Sequence, residues 1–213
     1  MKPADLELPS FGADWTDEQW AEHDARIEAE RKAVDVVYAQ HGIFSPRDVM
    51  HRGGFPLRAI DAALSSRETP ATRLLDAHNF RDKCVVVLSG KVGCGKTVAA
   101  TGHFVGHGGC VFMRATEFAA ASRYDADARK RLASARGIVL DDLGQEFADV
   151  KGSFLTDLQE LVDSCYGDYK PLIITTNLVA KEFAARYGDR IVDRIRECGA
   201  FLFVDGESLR RKA

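Results

Sequence analysis

Gly90-Lys91-Val92-Gly93-Cys94-Gly95-Lys96-Thr97 is a stretch whose residue types and spacing prescribe a chemistry by themselves. It fits G-x-x-x-x-G-K-[ST]. The glycines let backbone N–H groups curl around a phosphate with no Cβ in the way, and a helix starting there adds its dipole to the same anion. Lys96 would reach the β- and γ-phosphates, and the Thr97 hydroxyl would sit on Mg²⁺. The stretch lies between the apolar run CVVVLS and the helix-compatible VAATGHFV, which is the strand–loop–helix setting the motif requires. The expected cofactors are therefore ATP and Mg²⁺.

Two further runs end in polar groups of the right kind. GIVLDD places two carboxylates at the tip of an apolar strand. In P-loop ATPases such an acid holds the metal's water shell and its neighbour orients the attacking water, so Asp141 is assigned to the metal and Asp142 to water activation. Adjacent acids can also simply cap the next helix. LIITTN ends in Asn177, whose amide could hold the lytic water or the γ-phosphate, although Asn is also a common turn residue after a strand.

The elements that must position these groups are legible in the apolar pattern. CVVVLSG, GCVFM, GIVLDD, PLIITTN and AFLFV are continuous apolar runs of strand length, the kind buried on both faces of a parallel sheet. Helical stretches separate them, which predicts an α/β sandwich with right-handed crossovers. Residues 1–80 read differently. Thr16 and Gln19 form a capping-box pattern opening a helix over Asp17 to Gln40, and Gly42 ends it. Short helices are expected after Ser45-Pro46, over Arg58 to Leu64, and from Thr69-Pro70 to about Phe80, with a break at Gly53-Gly54-Phe55-Pro56. We place the boundary between a helical N-terminal region, 1–68, and a core, 69–213.

Composition bounds the class. With 213 residues, 46% hydrophobic and 29% charged, the chain is an ordinary globular one. No apolar run is long enough to cross a bilayer, and Met1 to Ser10 has no apolar core of a secretory signal. Five scattered cysteines without a C-x-x-C pair suit reduced thiols and a cytoplasmic setting. Residues 1–80 carry 9 basic against 14 acidic side chains and residues 81–213 carry 20 against 18, so −5 and +2 give the net −3. An acidic front half suits a protein partner better than a polyphosphate chain. Trp15 and Trp20 beside the acidic helix are either a staple onto a core or anchors for a partner. His103, His107 and Cys110 are not read as a metal site, because Gly106, Gly108 and Gly109 interrupt helical ligand spacing.

The order GKVGCGKT, VFMRATEF, GIVLDDLGQE, LIITTNL and YGDRIVDRI resembles the AAA+ ATPases of the DnaC/DnaI helicase-loader and IstB transposition-helper group, over about residues 70–213. The resemblance implies a P-loop NTPase (AAA+) three-layer α/β sandwich with a five-stranded parallel sheet and no helical lid after the last strand. It makes Asn177 the sensor-1 residue and implies an arginine finger between Tyr187 and Arg196, which would serve a neighbouring subunit. Arg194 matches the family position best, with Arg190 one turn earlier as reserve; both also suit a solvated helix face. Ser208-Leu209-Arg210 matches the terminal Ser-x-Arg, making Arg210 the sensor-2 candidate. The chain departs from the group at Asp142, where Glu is more frequent, and at Cys165, where the family often has Arg.

Between the second and third runs, Arg123, Arg129, Lys130, Arg131 and Arg136 oppose only Asp125 and Asp127, a local charge of 5 − 2 = +3. In the loader family this region resembles an insertion lining a channel for single-stranded DNA; a solvated charged helix is the plainer reading. The resulting expectation is a helicase-loader-type ATPase, slow as an isolated subunit. It would bind a replicative helicase through its N-terminal region, hold single-stranded DNA and form a nucleotide-dependent homo-oligomer. An IstB-like helper acting on duplex DNA and an ATP-binding regulator with little hydrolysis are the alternatives.

Overall fold

The computed structural model describes residues 43–65, 68–81, 83–121, 125–146, 153–206 and 208–209, with scattered positions between 16 and 38. The chain divides into two compact units, residues 1–45 and 46–213. In the first unit the described positions between 18 and 38 are helical. The expected capping box is made there. Thr16 N–H donates to Gln19 Oε1 at 2.9 Å, and Gln19 N–H donates to Thr16 Oγ1 at 3.3 Å. Trp15 and Trp20 lie outside the described residues.

The second unit is built on five parallel strands: β1 (Val85–Gly90), β2 (Cys110–Arg114), β3 (Gly137–Leu143), β4 (Leu172–Thr176) and β5 (Gly199–Val204), in the order β2-β3-β4-β1-β5. The five apolar runs become these five strands, because a strand covered on both faces needs apolar side chains at every position. Alternate residues of each strand feed two cores. Val86, Leu88, Val139 and Ile173 point to one face, and Val85, Val87, Ile138, Leu140, Leu172 and Ile174 to the other.

On the first face lie α1 (Pro46–Arg52), α2 (Leu57–Leu64), α3 (Pro70–Asp76) and α4 (Lys96–His103). On the second lie α5 (Ala115–Ala121), α6 (Ala126–Ser134), α7 (Ser153–Gly167), α8 (Ala180–Tyr187) and α9 (Asp189–Cys198). This is the three-layer α/β architecture expected from the sequence. The helix from Thr69-Pro70 stops at Asp76, short of the expected Phe80.

The compact unit begins at Pro46, upstream of the boundary drawn at 68/69. The reason is apolar. Met50, Phe55 and Ile60 join the core beneath α4, and Phe55 packs on Phe104 and Phe112 at ring separations of 6.4 and 5.5 Å. The break after α1 also completes the sheet edge, where the Phe112 N–H of edge strand β2 donates to the Gly53 carbonyl at 2.9 Å.

His103, at the end of α4, packs against Phe80 and Phe104. Burial pushes its imidazole down to about 4, helped by the nearby His107 and His78 and opposed by Asp76. The folded state thus binds fewer protons than the unfolded chain below the ordinary histidine value of 6.5. The neutral ring's contribution is complete above that value and is lost as pH falls toward about 4. Urea midpoints should therefore fall over that window, and His103→Leu should flatten part of the decline. An identical decline in the variant would exclude His103 as its source.

Candidate functional site

The site sits where open α/β sheets carry ligands, at the carboxyl ends of the strands, where β1 turns into α4 beside the tips of β4 and β3. Residues 90–97 make the turn. Gly95 is the N-cap of α4 with φ 89°, and Gly93 has φ 86°, both left-handed conformations that a side chain resists. A Cβ on Gly93 would also run into Ser208, whose neighbour Leu209 donates its N–H to the Gly93 carbonyl at 2.8 Å. Cys94 is buried, and Lys91 and Val92 are exposed at the crest of the turn.

The loop is open. It borders a cleft of about 500 Å³ whose walls include Gly93, Gly95, Lys96, Thr97, Asp142 and Asn177. Ala62 of α2 and Thr69, the N-cap of α3, close another side. The early helices thus belong to the site's wall as well as to the core. A cleft of this size falls in the ~300–1,000 Å³ range of small-molecule sites.

Two consecutive side chains of α4 stitch the strand tips together. Lys96 is 6% exposed, and its ammonium donates to the Gly90 and Lys91 carbonyls at 2.8 Å each and to Asn177 Oδ1 at 3.0 Å. Thr97 Oγ1 donates to Asp141 Oδ1 at 2.8 Å. The three groups expected from the phosphate loop, GIVLDD and LIITTN therefore meet in one place.

At Asp141 and Asp142 the β3–β4 ladder carries a bulge. Leu140 pairs with Ile174 and Leu143 with Thr176, so the two acids stand opposite the single residue Thr175. Asp141 turns inward and is 5% exposed. Burial pushes its carboxyl above the ordinary range and Asp142 adds to this, while the Thr175 and Thr97 hydroxyls and the charge of Arg114 oppose it. Asp142 takes a left-handed backbone, φ 57°, and is exposed at the cleft.

Thr175 holds the bulge, and sequence reading passed over it as one more β-branched strand residue. Its hydroxyl donates to Asp141 Oδ1 at 2.7 Å and accepts the Asp142 N–H at 2.9 Å. Glu146 was also missed. It caps the Gly144 N–H through Oε2 at 2.7 Å, and its other oxygen accepts from Arg186 and Tyr187.

The Thr97 hydroxyl and Asp141 carboxylate fit a Mg²⁺ with its water shell. They are hard oxygen donors side by side at the cleft, and the described hydrogen-bond donors to Asp141 are both hydroxyls. Bound there, the ion would neutralise charge on phosphate oxygens.

The two finger candidates are placed differently. Arg194, the better sequence match, is committed within its own chain. Its guanidinium bonds Asp163 of α7 and Glu197, each at 2.6 Å, and lies over Tyr166 at 5.3 Å. Arg190 is exposed and has no ion pair among the described residues. Of the two, Arg190 is the one left uncommitted by the ion pairs of the described residues. Opposite Arg194 helix α7 offers the acid Asp163, whereas the groove bordered by Arg190 holds the neutral Gln159 of α7, and its acids Asp193 and Glu197 are paired with Arg196 and Arg194.

Among the described residues the basic side chains of α6 point in different directions. On α6, Arg129 borders a small cavity against α7. Lys130 points to solvent with Asp127 at 4.0 Å, and Arg131 reaches toward Gly54. Arg123 and the sensor-2 candidate Arg210 lie outside the described residues.

No protein-family model and no curated protein matches the chain. Solved structures do. The chain aligns with DnaI at a TM-score of 0.56 and 17% identity, over 73% of this chain and 94% of DnaI. It aligns with AMPPCP-bound DnaA from Aquifex aeolicus at 0.52 and 18% identity, over 63% of this chain and 44% of DnaA. With the replication initiator DnaA bound to AMPPCP and single-stranded DNA the values are 0.51 and 17%, over 71% and 46%. The chain spans less than half the length of either DnaA chain. These likenesses show the fold, the α/β P-loop fold that the sequence resemblance implied. Among the described residues no helix is long and apolar enough to cross a membrane.

Thr175→Val, which keeps shape and removes the hydroxyl, leaves the partly buried Asp142 N–H without its acceptor. It should cost about 1–3 kcal/mol in denaturant unfolding, with Thr175→Ser recovering most of it. An unchanged midpoint for the valine variant would mean that the bulge holds without the hydroxyl.

Proposed function

We propose that this chain is an ATP-dependent DNA-replication accessory protein, a helicase-loader-type AAA+ ATPase. The observation that carries the ATPase part is the meeting of Lys96, Thr97, Asp142 and Asn177 at one open cleft, with Asp141 bonded to Thr97 behind its wall. The loader part is supported by the order of motifs and by the likeness to DnaI.

In this reading the turn from Gly90 to Thr97 wraps the phosphates of ATP, and the Lys96 ammonium keeps its two carbonyl contacts while its third donor moves from Asn177 to phosphate. Asn177, so released, orients the lytic water together with Asp142. Thr97 and Asp141 hold Mg²⁺. Arg190 is the cation offered to a neighbouring subunit, so an isolated subunit turns over slowly and a homo-oligomer forms with nucleotide. Arg210 is the sensor-2 candidate. Arg123, Arg129, Lys130 and Arg131 contact the phosphates of single-stranded DNA, in line with the local +3 charge and with the DnaA structure that contains single-stranded DNA. Residues 1–45, the first unit, engage a replicative helicase.

Lys96→Ala should abolish nucleotide binding in a fluorescent-ATP titration; unchanged affinity would place the site elsewhere. Arg190→Ala should spare binding and lower DNA-stimulated turnover by roughly tenfold or more, given the 10³–10⁵ that arginine fingers contribute in the best-studied GTPases. Mixing it with Asp142→Asn protein should restore part of the rate. Mass photometry of the full chain with the host's replicative helicase, ATP and single-stranded DNA should show a larger species that depends on ATP. Failure to associate would remove the loader reading. A preference for duplex DNA would favour an IstB-like helper, and ATP binding without turnover a regulator.

A further inference from the structure

The buried carboxylate of Glu146 has two oxygens, and each serves a different part of the proposed machinery. Its side chain is fully buried. Oε2 accepts the Gly144 N–H at 2.7 Å. Gly144 belongs to the turn that leaves the bulge, closed by the Gln145 N–H donating to the Asp142 carbonyl at 3.1 Å. This oxygen therefore braces the left-handed backbone that presents Asp142 to the cleft.

Oε1 faces the other way. It accepts from Arg186 Nε at 3.0 Å and from the Tyr187 hydroxyl at 2.8 Å, with Arg186 Nη2 at an ion-pair distance of 2.9 Å. Arg186 Nη2 also donates to the Glu146 main-chain carbonyl at 3.0 Å. Tyr187 is 3% exposed and packed against Phe154 and Phe183. Burial raises its phenol's pKa, and the Glu146 hydrogen bond and charge raise it further, so the hydroxyl stays a donor. These two residues end α8, Gly188 turns the corner with φ 81°, and Arg190 stands in the first turn of α9.

We propose that Glu146 is a positioning residue that sets two groups at once: the water-activating acid of its own site and the arginine that its subunit presents to the next. This rests on the reading of Arg190 as a finger acting between subunits. Glu146 is fully buried and is not part of the cleft wall. It acts through Gly144 on one side and through Arg186 and Tyr187 on the other. A buried carboxylate held by three hydrogen bonds and the charge of Arg186 has one arrangement of low energy, because releasing any of them leaves a buried charge short of a partner. A shift of the turn after β3 is therefore passed to the α8–α9 corner. Occupancy of one cleft and delivery of the finger to the adjacent cleft become linked inside each subunit.

Mixed-subunit assays separate the two arms. In a mixture of Asp142→Asn and Arg190→Ala proteins, productive interfaces pair an intact acid from the arginine variant with an intact arginine from the acid variant. The rate this mixture recovers is the benchmark. Adding Glu146→Gln to the Asp142→Asn protein tests finger delivery alone, and adding it to the Arg190→Ala protein tests the acid alone. Each is expected to lower the recovered rate by roughly tenfold to a hundredfold, the scale set by small misplacements of reacting groups.

Tyr187→Phe removes one donor to Oε1 and keeps the ring in its packing. It should lower the rate when carried by the finger donor and leave it when carried by the acid donor. That asymmetry is something a general loss of stability does not produce, and it decides the matter if the Glu146 variant melts early. Equal rates with and without these changes overturn the proposal while the ATPase reading stands. No recovery in the benchmark mixture itself removes the finger reading and this inference with it.

Discussion

A lysine ammonium that is almost wholly buried has to find an oxygen for each of its protons, and the arrangement around Lys96 follows from that need. Two of the oxygens are carbonyls of its own loop, at Gly90 and Lys91, and the third is the side-chain amide of Asn177. The first pair fixes the curl of the loop. The third requires β4 to lie beside β1, which the strand order provides. Thr97 continues the stitch to Asp141 on β3, one strand further. The first turn of α4 thus binds three strand tips. The Asn177 contact is the one that a competing anion can take, because the two carbonyl contacts are built into the loop that would surround it.

Much of this arrangement was legible in the sequence. Strands buried on both faces leave continuous apolar runs, only β5 with its exposed Phe203 being half covered, and a tight loop with left-handed backbone leaves glycines at fixed spacing. What stayed hidden are bonds between residues far apart in the chain. Thr175 reads as a good strand former, and nothing local says that its hydroxyl will replace a ladder acceptor for Asp142, 33 residues away. Glu146 reads as an exposed acid after a glycine turn, yet Arg186 and Tyr187 bury it from 40 and 41 residues downstream. The compact unit begins at Pro46 rather than at 68/69 for a related reason. Helical spacing separates α1 and α2 from the strands, but their apolar residues belong to the core beneath α4.

The order of the two arginines shows the same limit. Arg190 and Arg194 lie four residues apart on one amphipathic helix, so the sequence of α9 treats them alike. Their fates differ because of α7. Asp163 meets Arg194, with Glu197 completing a two-sided clamp, whereas Gln159 brings only a neutral amide to the groove that Arg190 borders. A cation meant for another molecule should have no strong partner at home, since breaking a short carboxylate pair would subtract from whatever it gains elsewhere. By that criterion Arg190 is the better candidate for such a contact.

The departure at Asp142 has a structural counterpart. The carboxylate of Asp is one methylene nearer its backbone than that of the more frequent Glu, so a regular strand would hold it further back from the cleft. Here the strand is not regular. The bulge adds a residue opposite Thr175, the backbone of Asp142 swings into the left-handed region, and the side chain stands exposed at the cleft wall. A non-glycine residue in that region costs free energy and is kept only where its surroundings hold it. Thr175 fixes its N–H, and the turn closed by Gln145 and braced by Glu146 fixes its carbonyl side. Backbone geometry can thus offset part of the reach lost with the shorter side chain. A longer side chain at the same position need not be an improvement, because its carboxylate would start from a backbone already moved forward.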